Sequence, residues 1–292
     1  MATPRDSAFL RFHYNTRPGR FLLRLIASRP VSRLCGAFLN TRASKPLCRR
    51  FVRKNHIDLR DYYADDFRCF NDCFSRKIRE GRRPIDPDPA ALIAPCDGLL
   101  TVYPVTEDTV FPVKQSRYTV TDLLGDDPAA QRFLGGQCLV FRLCVNHYHR
   151  YVYIDDGEKG ENVFLPGQLH TVRPIALRTY PVFIRNCREY TLMHTDHFGC
   201  VAQIEVGALL VGKIKNLHGA GSVARGEEKG MFLYGGSTII LLLEPDRATV
   251  AQEILDATAR GEETPVRLGQ RIGVACGAPL PAPQEEKQAL PV

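Results

Sequence analysis

The sequence predicts an α+β protein with a mostly β core, built of packed sheets in a barrel- or sandwich-like arrangement and preceded by N-terminal amphipathic helices. Three observations predict it. From residue 91 onward, short runs rich in Val, Ile, Leu and aromatics alternate with glycine-marked turns: Leu99–Tyr103, Cys138–Val145, Cys200–Val206, Leu209–Ile214 and Met231–Glu244. Residues 8–53 instead interleave apolar and basic side chains and are cut by Pro18, Pro30 and Pro46. Between the two textures, Pro84, Pro87 and Pro89 make a stiff connector that excludes both helix and ladder.

Residues 1–50 hold eleven Lys/Arg against one acid, Asp6, while the whole chain is +7. The basic character therefore belongs to this segment and not to the core. Short helices with one apolar and one basic face suit an anionic membrane surface, where burial and charge attraction add. Helices packed on the core, or an organellar presequence, would share the composition. No nucleic-acid motif accompanies the charge, so no nucleic-acid partner is expected. No stretch has the roughly 18 consecutive apolar residues of a membrane span.

Residues 59–80 read as a helical unit, with Asp58 or Asp61 at its start, Cys69 and Cys73 one turn apart, and a basic end at Arg76-Lys77-Ile78-Arg79. Val120–Leu124 and Ala129–Leu134 are short helices within the β region, and Thr249 through Arg260 forms a C-terminal helix stopped by Gly261. The tail from Ala278, with four prolines and Gln-Glu-Glu-Lys, is expected to be disordered. The expected divisions are 1–83 (helical, basic, membrane-contacting), 84–247 (β-rich core), 248–277 (C-terminal helix and end of the core) and 278–292 (tail). Ten scattered cysteines with no C-x-x-C pair read as reduced thiols of a cytosolic protein.

Three polar sites sit where β-runs begin or end. Asp97 lies in Ala94-Pro95-Cys96-Asp97-Gly98, before the run from Leu99. His147 and His149 follow Cys138–Val145 and, alternating, share a face. A zinc pair there would need His194 and His197 as further ligands, which no spacing supports, so no metal is assigned. Tyr234-Gly235-Gly236-Ser237-Thr238 opens the apolar run Ile239 to Leu243. Glycine lets a carbonyl adopt unusual geometry, and a hydroxyl held against that carbonyl could attack it. Carboxylate, imidazole and hydroxyl in separate turns can converge as orienter, base and nucleophile.

In their order and spacing the motifs resemble the phosphatidylserine decarboxylase family, whose members are self-processing and pyruvoyl-dependent. The pieces are Phe70-Asn71-Asp72-Cys73-Phe74-Ser75-Arg76, similar to F-N-D-F-F-x-R; Arg83-Pro84-Ile85; Pro95-Cys96-Asp97-Gly98; and Tyr148-His149-Arg150. They continue with Val206-Gly207-Ala208-Leu209-Leu210-Val211-Gly212, and with Gly226-Glu227-Glu228-Lys229-Gly230 leading into Gly235-Gly236-Ser237-Thr238, similar to the family's processing site. The likeness reaches back to Tyr14-Asn15-Thr16 and Gly19-Arg20, which makes the basic segment part of the working enzyme.

The resemblance implies cleavage between Gly236 and Ser237, giving a β chain, 1–236, and an α chain, 237–292. Ser237 would become the pyruvoyl cofactor and form a Schiff base with the amine of phosphatidylserine, which is decarboxylated to phosphatidylethanolamine without a metal. His149 is the expected base, with Asp97 orienting it. The enzyme would be peripheral, on an anionic surface at the cytoplasmic face of the cell membrane, with homo-oligomerisation left open. A pyruvoyl decarboxylase of a soluble amino acid, or an unprocessed non-catalytic lipid-binding relative, are the alternatives. One departure stands out: many members read Y-H-R-x-H-S-P, and Val152 occupies the second histidine's position. His147 and His194 are the reserves for its role.

Overall fold

The structure, a computed structural model, describes residues 8–26, 29–107, 119–167, 186–207, 213–233 and 237–277. Helices α1 (Ala8–Asn15), α2 (Arg17–Ile26), α3 (Arg29–Leu39) and α4 (Pro46–Lys54) open the chain. Pro18, Pro30 and Pro46 fall at the first or second residue of α2, α3 and α4, where a missing N–H removes no helical bond. The prolines thus begin the helices that they separate.

Helix α5 (Phe70–Phe74) is all that forms of the helix expected over 59–80. Around it the chain doubles back: Tyr63 N–H donates to the Lys77 carbonyl (2.9 Å), Arg79 N–H to the Asp61 carbonyl (2.8 Å), and Tyr62 bridges Ile78. These antiparallel bonds consume the backbone groups that a helix would use. Asp58, taken as a possible cap, accepts from the nearby Arg60 N–H instead.

The strands are β1 (Ala91–Ile93), β2 (Gly98–Pro104), β3 (Gln137–Leu143), β4 (Arg150–Val152), β5 (Gly157–Lys159), β6 (Val163–Leu165), β7 (Arg188–Thr195) and β8 (Gly199–Val206). They continue with β9 (Ile214–Asn216), β10 (Gly221–Val223), β11 (Glu228–Phe232), β12 (Ser237–Leu243), β13 (Ala248–Val250), β14 (Thr264–Val266) and β15 (Arg271–Ala275). A nine-stranded sheet has the order β10-β5-β7-β8-β12-β3-β2-β14, with β6 on β7; two three-stranded sheets are β1-β15-β13 and β4-β11-β9. The mostly β core of packed sheets is as the sequence predicts.

Strand β12 is buried at all seven positions, which requires cover on both sheet faces. On one face Leu139, Phe141, Ile239 and Leu241 meet Leu92, Ile93 and Ile272 of one small sheet and Tyr151 and Phe232 of the other. On the opposite face Val140, Ile204, Ile240 and Leu242 meet Val120, Leu123 and Leu124 of α6 (Val120–Leu124), and Phe133. The segment expected as a helix at Ala129–Leu134 is a 3-10 helix over Pro128–Phe133.

Three boundaries differ from expectation. The run Met231–Glu244 is two strands in different sheets, β11 and β12, and residues 234–236 between them lie outside the described residues. In Leu209–Ile214 the described strand starts only at Ile214; residues 208–212 also lie outside. The C-terminal helix α7 (Gln252–Ala259) starts late because Thr249 and Val250, both β-branched, pair with β15. Gly261, at φ 75°, follows its end. The tail 278–292 lies outside the described residues. Among the described residues, which include all ten cysteines, there is no disulfide.

A buried ion pair ties the β4-β11-β9 sheet to the large one. Lys229 Nζ on β11 lies 2.7 Å from Glu205 Oε1 on β8, and both side chains are fully buried. Asn216 completes it, accepting from Lys229 (3.2 Å) and donating to Glu189 (2.8 Å). Breaking such a pair on one side strands a buried charge, so Lys229→Met should destabilise the protein by about 3–5 kcal/mol. Adding Glu205→Gln should restore most of that loss. Denaturant midpoints of the two variants check both statements.

Candidate active site

Sheet register brings the three expected polar sites to one end of the large sheet. Ser237, the first residue of β12, pairs with Leu143, the last of β3. Leu99 pairs with Arg142, and one step further along that register Gly98 stands beside Leu143, with Asp97 just beyond. The chain leaving Leu143 turns at once into the segment that carries His147 and His149. Nucleophile, imidazoles and carboxylate thus come from three adjacent strand ends.

Ser237 is 1% exposed, and among the described residues its Oγ has no hydrogen-bond partner. A buried hydroxyl left without a partner costs about 1–3 kcal/mol. The expected cleavage residue Gly236 lies outside the described residues.

The two imidazoles are held in opposite tautomers. Cys144 N–H donates to His147 Nδ1 (3.1 Å), so the lone pair of neutral His147 is already used and its Nε2 carries the proton. His149 Nδ1 lies 2.9 Å from the His147 carbonyl, which can only accept, so Nδ1 carries the proton and Nε2 is the basic atom. His149 is fully buried, and among the described residues Nε2 has no partner. The Phe74 ring lies against the imidazole, with centroids 4.1 Å apart. Burial, then the Arg76 and His147 charges, push the His149 pKa well below its ordinary value. Burial also lowers His147, against the pull of Asp97.

Asp97 does not orient His149 by a hydrogen bond. Its oxygens accept from Arg83 Nε (2.9 Å) and Nη2 (2.7 Å) and from the Leu268 N–H (2.9 Å). The carboxylate is thereby shared between the Arg83-Pro84-Ile85 motif and the loop before β15. The contact with His149 that the sequence led us to expect is replaced by the His147 carbonyl on one side and Phe74 on the other.

His194 does not reach this end. It pairs with Cys200, six residues along β8 from Val206, the neighbour of Thr238. That is about 20 Å at roughly 3.3 Å per residue. His197 sits at the same far end, bound to Asp155 through Nδ1 (3.0 Å) and its backbone N–H (2.8 Å). Among the described residues, no group of three or more His, Cys, Asp or Glu could hold a metal ion.

Three participants carried no assigned role in the sequence: Arg76, Phe74 and Arg83. The signal was present, since two lie in the F-N-D-F-F-x-R-like stretch and one in Arg83-Pro84-Ile85. What sequence could not supply was that these stretches pack on the histidine turn and on Asp97.

The sequence profile of the family described as "Phosphatidylserine decarboxylase" matches residues 70–274. Among relatives, phosphatidylserine decarboxylase proenzyme 2 of Clostridium acetobutylicum is 42% identical over 265 residues, covering 90% of this chain and 91% of that one. The phosphatidylserine decarboxylase proenzyme of Clostridium kluyveri is 38% identical over 272 residues, covering 91% and 92%. That of Clostridium novyi is 37% identical over 271 residues, with the same coverage. With a profile spanning most of the β core and relatives aligned over 90% or more of both chains, the chain belongs to the phosphatidylserine decarboxylase family.

Proposed function

We propose that this chain is a proenzyme that cuts itself between Gly236 and Ser237 and then decarboxylates phosphatidylserine to phosphatidylethanolamine. One observation carries the reading of the site. A buried, unpartnered hydroxyl (Ser237 Oγ) and a buried imidazole with a free basic nitrogen (His149 Nε2) share one end of the sheet. The two atoms do not hydrogen-bond each other in this structure, but neither has another described partner to give up before they meet, and such contacts commonly tighten only as reaction begins.

In processing, His149 Nε2 takes the Oγ proton as Oγ attacks the Gly236 carbonyl, and the peptide C–N bond gives way to an ester. Loss of the Cα proton then breaks the Oγ–Cβ bond, releases Gly236 as a carboxylate, and leaves a dehydroalanine at 237. Water replaces its nitrogen, which departs as ammonia. Burial of Ser237 at the mouth of β12 fits a pyruvoyl group made in place, because the residue is anchored by the strand that follows. When present, that group supplies a ketone to take up the substrate amine and a sink for the electron pair released with CO₂.

The remaining work belongs to side chains of this protein. His149 Nε2, protonated in its turn, can deliver the proton that replaces the carboxyl. Burial around it keeps bulk water from supplying or removing protons. Asp97, tied to Arg83, acts on the site through space, favouring protonation of His147. His147, whose Nδ1 is engaged by Cys144, is the poorer candidate for the processing base.

We assign the N-terminal helices to a peripheral contact with the anionic cytoplasmic face of the cell membrane. Phe21 and Leu34 are 65% and 73% exposed, and Phe12, Leu22 and Phe38 are also uncovered. Arg11, Arg17 and Arg20 are exposed on the same helices. Among the described residues, no helix is long and apolar enough to cross a membrane. Exposed apolar groups ringed by arginine suit a surface that offers hydrocarbon and negative charge together.

Mass spectrometry of purified protein should find two chains split at 236/237, the α chain blocked to N-terminal sequencing; one intact 32.8 kDa chain would overturn the proposal. The processed protein should release CO₂ from phosphatidylserine vesicles and not from free serine. His149→Ala should remain uncut, and normal cleavage in that variant would remove His149 from the processing step. Phe21→Asp combined with Leu34→Asp should weaken sedimentation with anionic vesicles at least about tenfold, from lost burial alone, while leaving cleavage intact.

A further inference from the structure

Arg76 is 1% exposed, and among the described residues no acid pairs with it. Its Nη2 donates to the carbonyls of Asn146 (2.8 Å) and His147 (2.9 Å), its Nη1 to the Phe74 carbonyl (3.3 Å), and its Nε has no acceptor. The guanidinium carbon lies 4.5 Å from the centre of the Tyr62 ring. Carbonyl dipoles and one aromatic face stand in for a counter-ion. Keeping an arginine buried this way costs several kcal/mol, and a leucine would fill the space without that cost.

The His147 carbonyl explains the placement. Its two lone pairs accept from two donors, Arg76 Nη2 and His149 Nδ1. We propose that Arg76 is a positioning residue for His149, gripping that carbonyl so that the imidazole keeps its proton on Nδ1 and presents Nε2 as a free base. Two effects combine. The fork fixes the carbonyl that selects the tautomer, and the permanent charge opposes a second positive charge on the ring.

The groups around His149 agree. From α5 and the segment after it come the Phe74 ring and Arg76; from its own turn, the His147 ring and carbonyl; from β11, the Phe232 N–H, bound to the His149 carbonyl (2.9 Å). The charges that act on the imidazole, Arg76 and His147, both disfavour protonation. The clamp has a second jaw, since Arg150 Nε donates to the Ser75 carbonyl (2.8 Å) and Arg150 Nη1 reaches Glu228 (2.6 Å).

The sign follows directly. A like charge nearby lowers the imidazole pKa, so removing it moves His149 back toward the ordinary value, by on the order of one pH unit. His149 would then be protonated, and lost as a base, at a pH where the parent still works.

This inference rests on His149 being the base, and the experiment separates the two. Histidine labelled with ¹³C and ¹⁵N is titrated by NMR in the uncleavable Ser237→Ala precursor, the His149 signal being assigned by its loss in His149→Gln. With Arg76 present, the ring should show the Nδ1–H tautomer and titrate below the ordinary imidazole range. Arg76→Met should titrate about one unit or more higher and show mixed tautomers. Arg76→Lys should keep the low titration but lose the single tautomer, since it retains the charge without the fork. Unchanged titration and tautomer in both variants would overturn the proposal. If Arg76→Met does not fold, Arg76→Lys decides alone, and a ring spectrum identical to the parent's is the overturning result. These readings hold whether or not His149 cuts the chain, which His149→Ala tests separately.

Discussion

Everything at the active site depends on one strand that is covered on both faces and yet begins with a hydroxyl that has no partner. Strand β12 contributes Ile239 and Leu241 to one apolar cluster and Ile240 and Leu242 to the other. Sliding it by one residue would exchange those sets and carry Ser237 to the wrong face. The hydrophobic pattern of the strand therefore fixes the nucleophile. The register of β3 and β2 against it fixes the ends from which His149 and Asp97 emerge. A fold whose core energy locks the register does not need a dedicated contact to aim its serine.

The helical arm and His149, the proposed base, belong to one contiguous packing unit. Phe51 of α4 lies 5.1 Å from Phe70 and 5.9 Å from Phe74, whose ring rests on His149. Ser44 accepts from the Phe70 N–H (2.9 Å), and Cys48 donates to the Cys69 carbonyl (3.6 Å). Burial raises the Cys73 thiol to about 12, so it serves this contact as an apolar group. A surface formed by α1 to α4 is thus separated from the base by two aromatic rings. That arrangement suits the membrane contact proposed for the arm, because a substrate arriving there would meet the base through a single packed unit.

The sequence made the layers legible because burial leaves a periodic trace: the continuous run in β12 and the interleaved arm were both readable. The helix expected over 59–80 failed because its composition is helical while its backbone is claimed by bonds between residues 61–63 and 77–79, a tertiary event with no local signature. The run Met231–Glu244 reads as one strand because the apolar residues on either side of residues 234–236 look alike in sequence, although they serve different sheets. At the site, Ser237, His149 and Asp97 were visible as motifs. The partner of Asp97 was not, since Arg83 lies fourteen residues away through a proline-rich connector. Arg76 was equally hidden, because its acceptors are backbone carbonyls seventy residues on, and a carbonyl leaves no mark on a sequence.

The depressed proton affinity of His149 has a physical reason in the setting proposed for the enzyme. An anionic leaflet with a surface potential near −30 mV concentrates protons, lowering the local pH by about half a unit. At a bulk pH of about 7, an imidazole of ordinary pKa, roughly 6.5, would be about half protonated there and correspondingly less available as a base. Placing an uncompensated guanidinium behind the ring moves its titration away from that range, while the His147 carbonyl leaves the lone pair only on Nε2. The cost is a buried charge in the core, and the Tyr62 ring and three backbone carbonyls reduce that cost without introducing an acid that would cancel the effect. A carboxylate would have held Arg76 more cheaply, but it would also have returned the proton affinity to His149. On this proposal, the lack of an acid beside Arg76 among the described residues is part of how the site works.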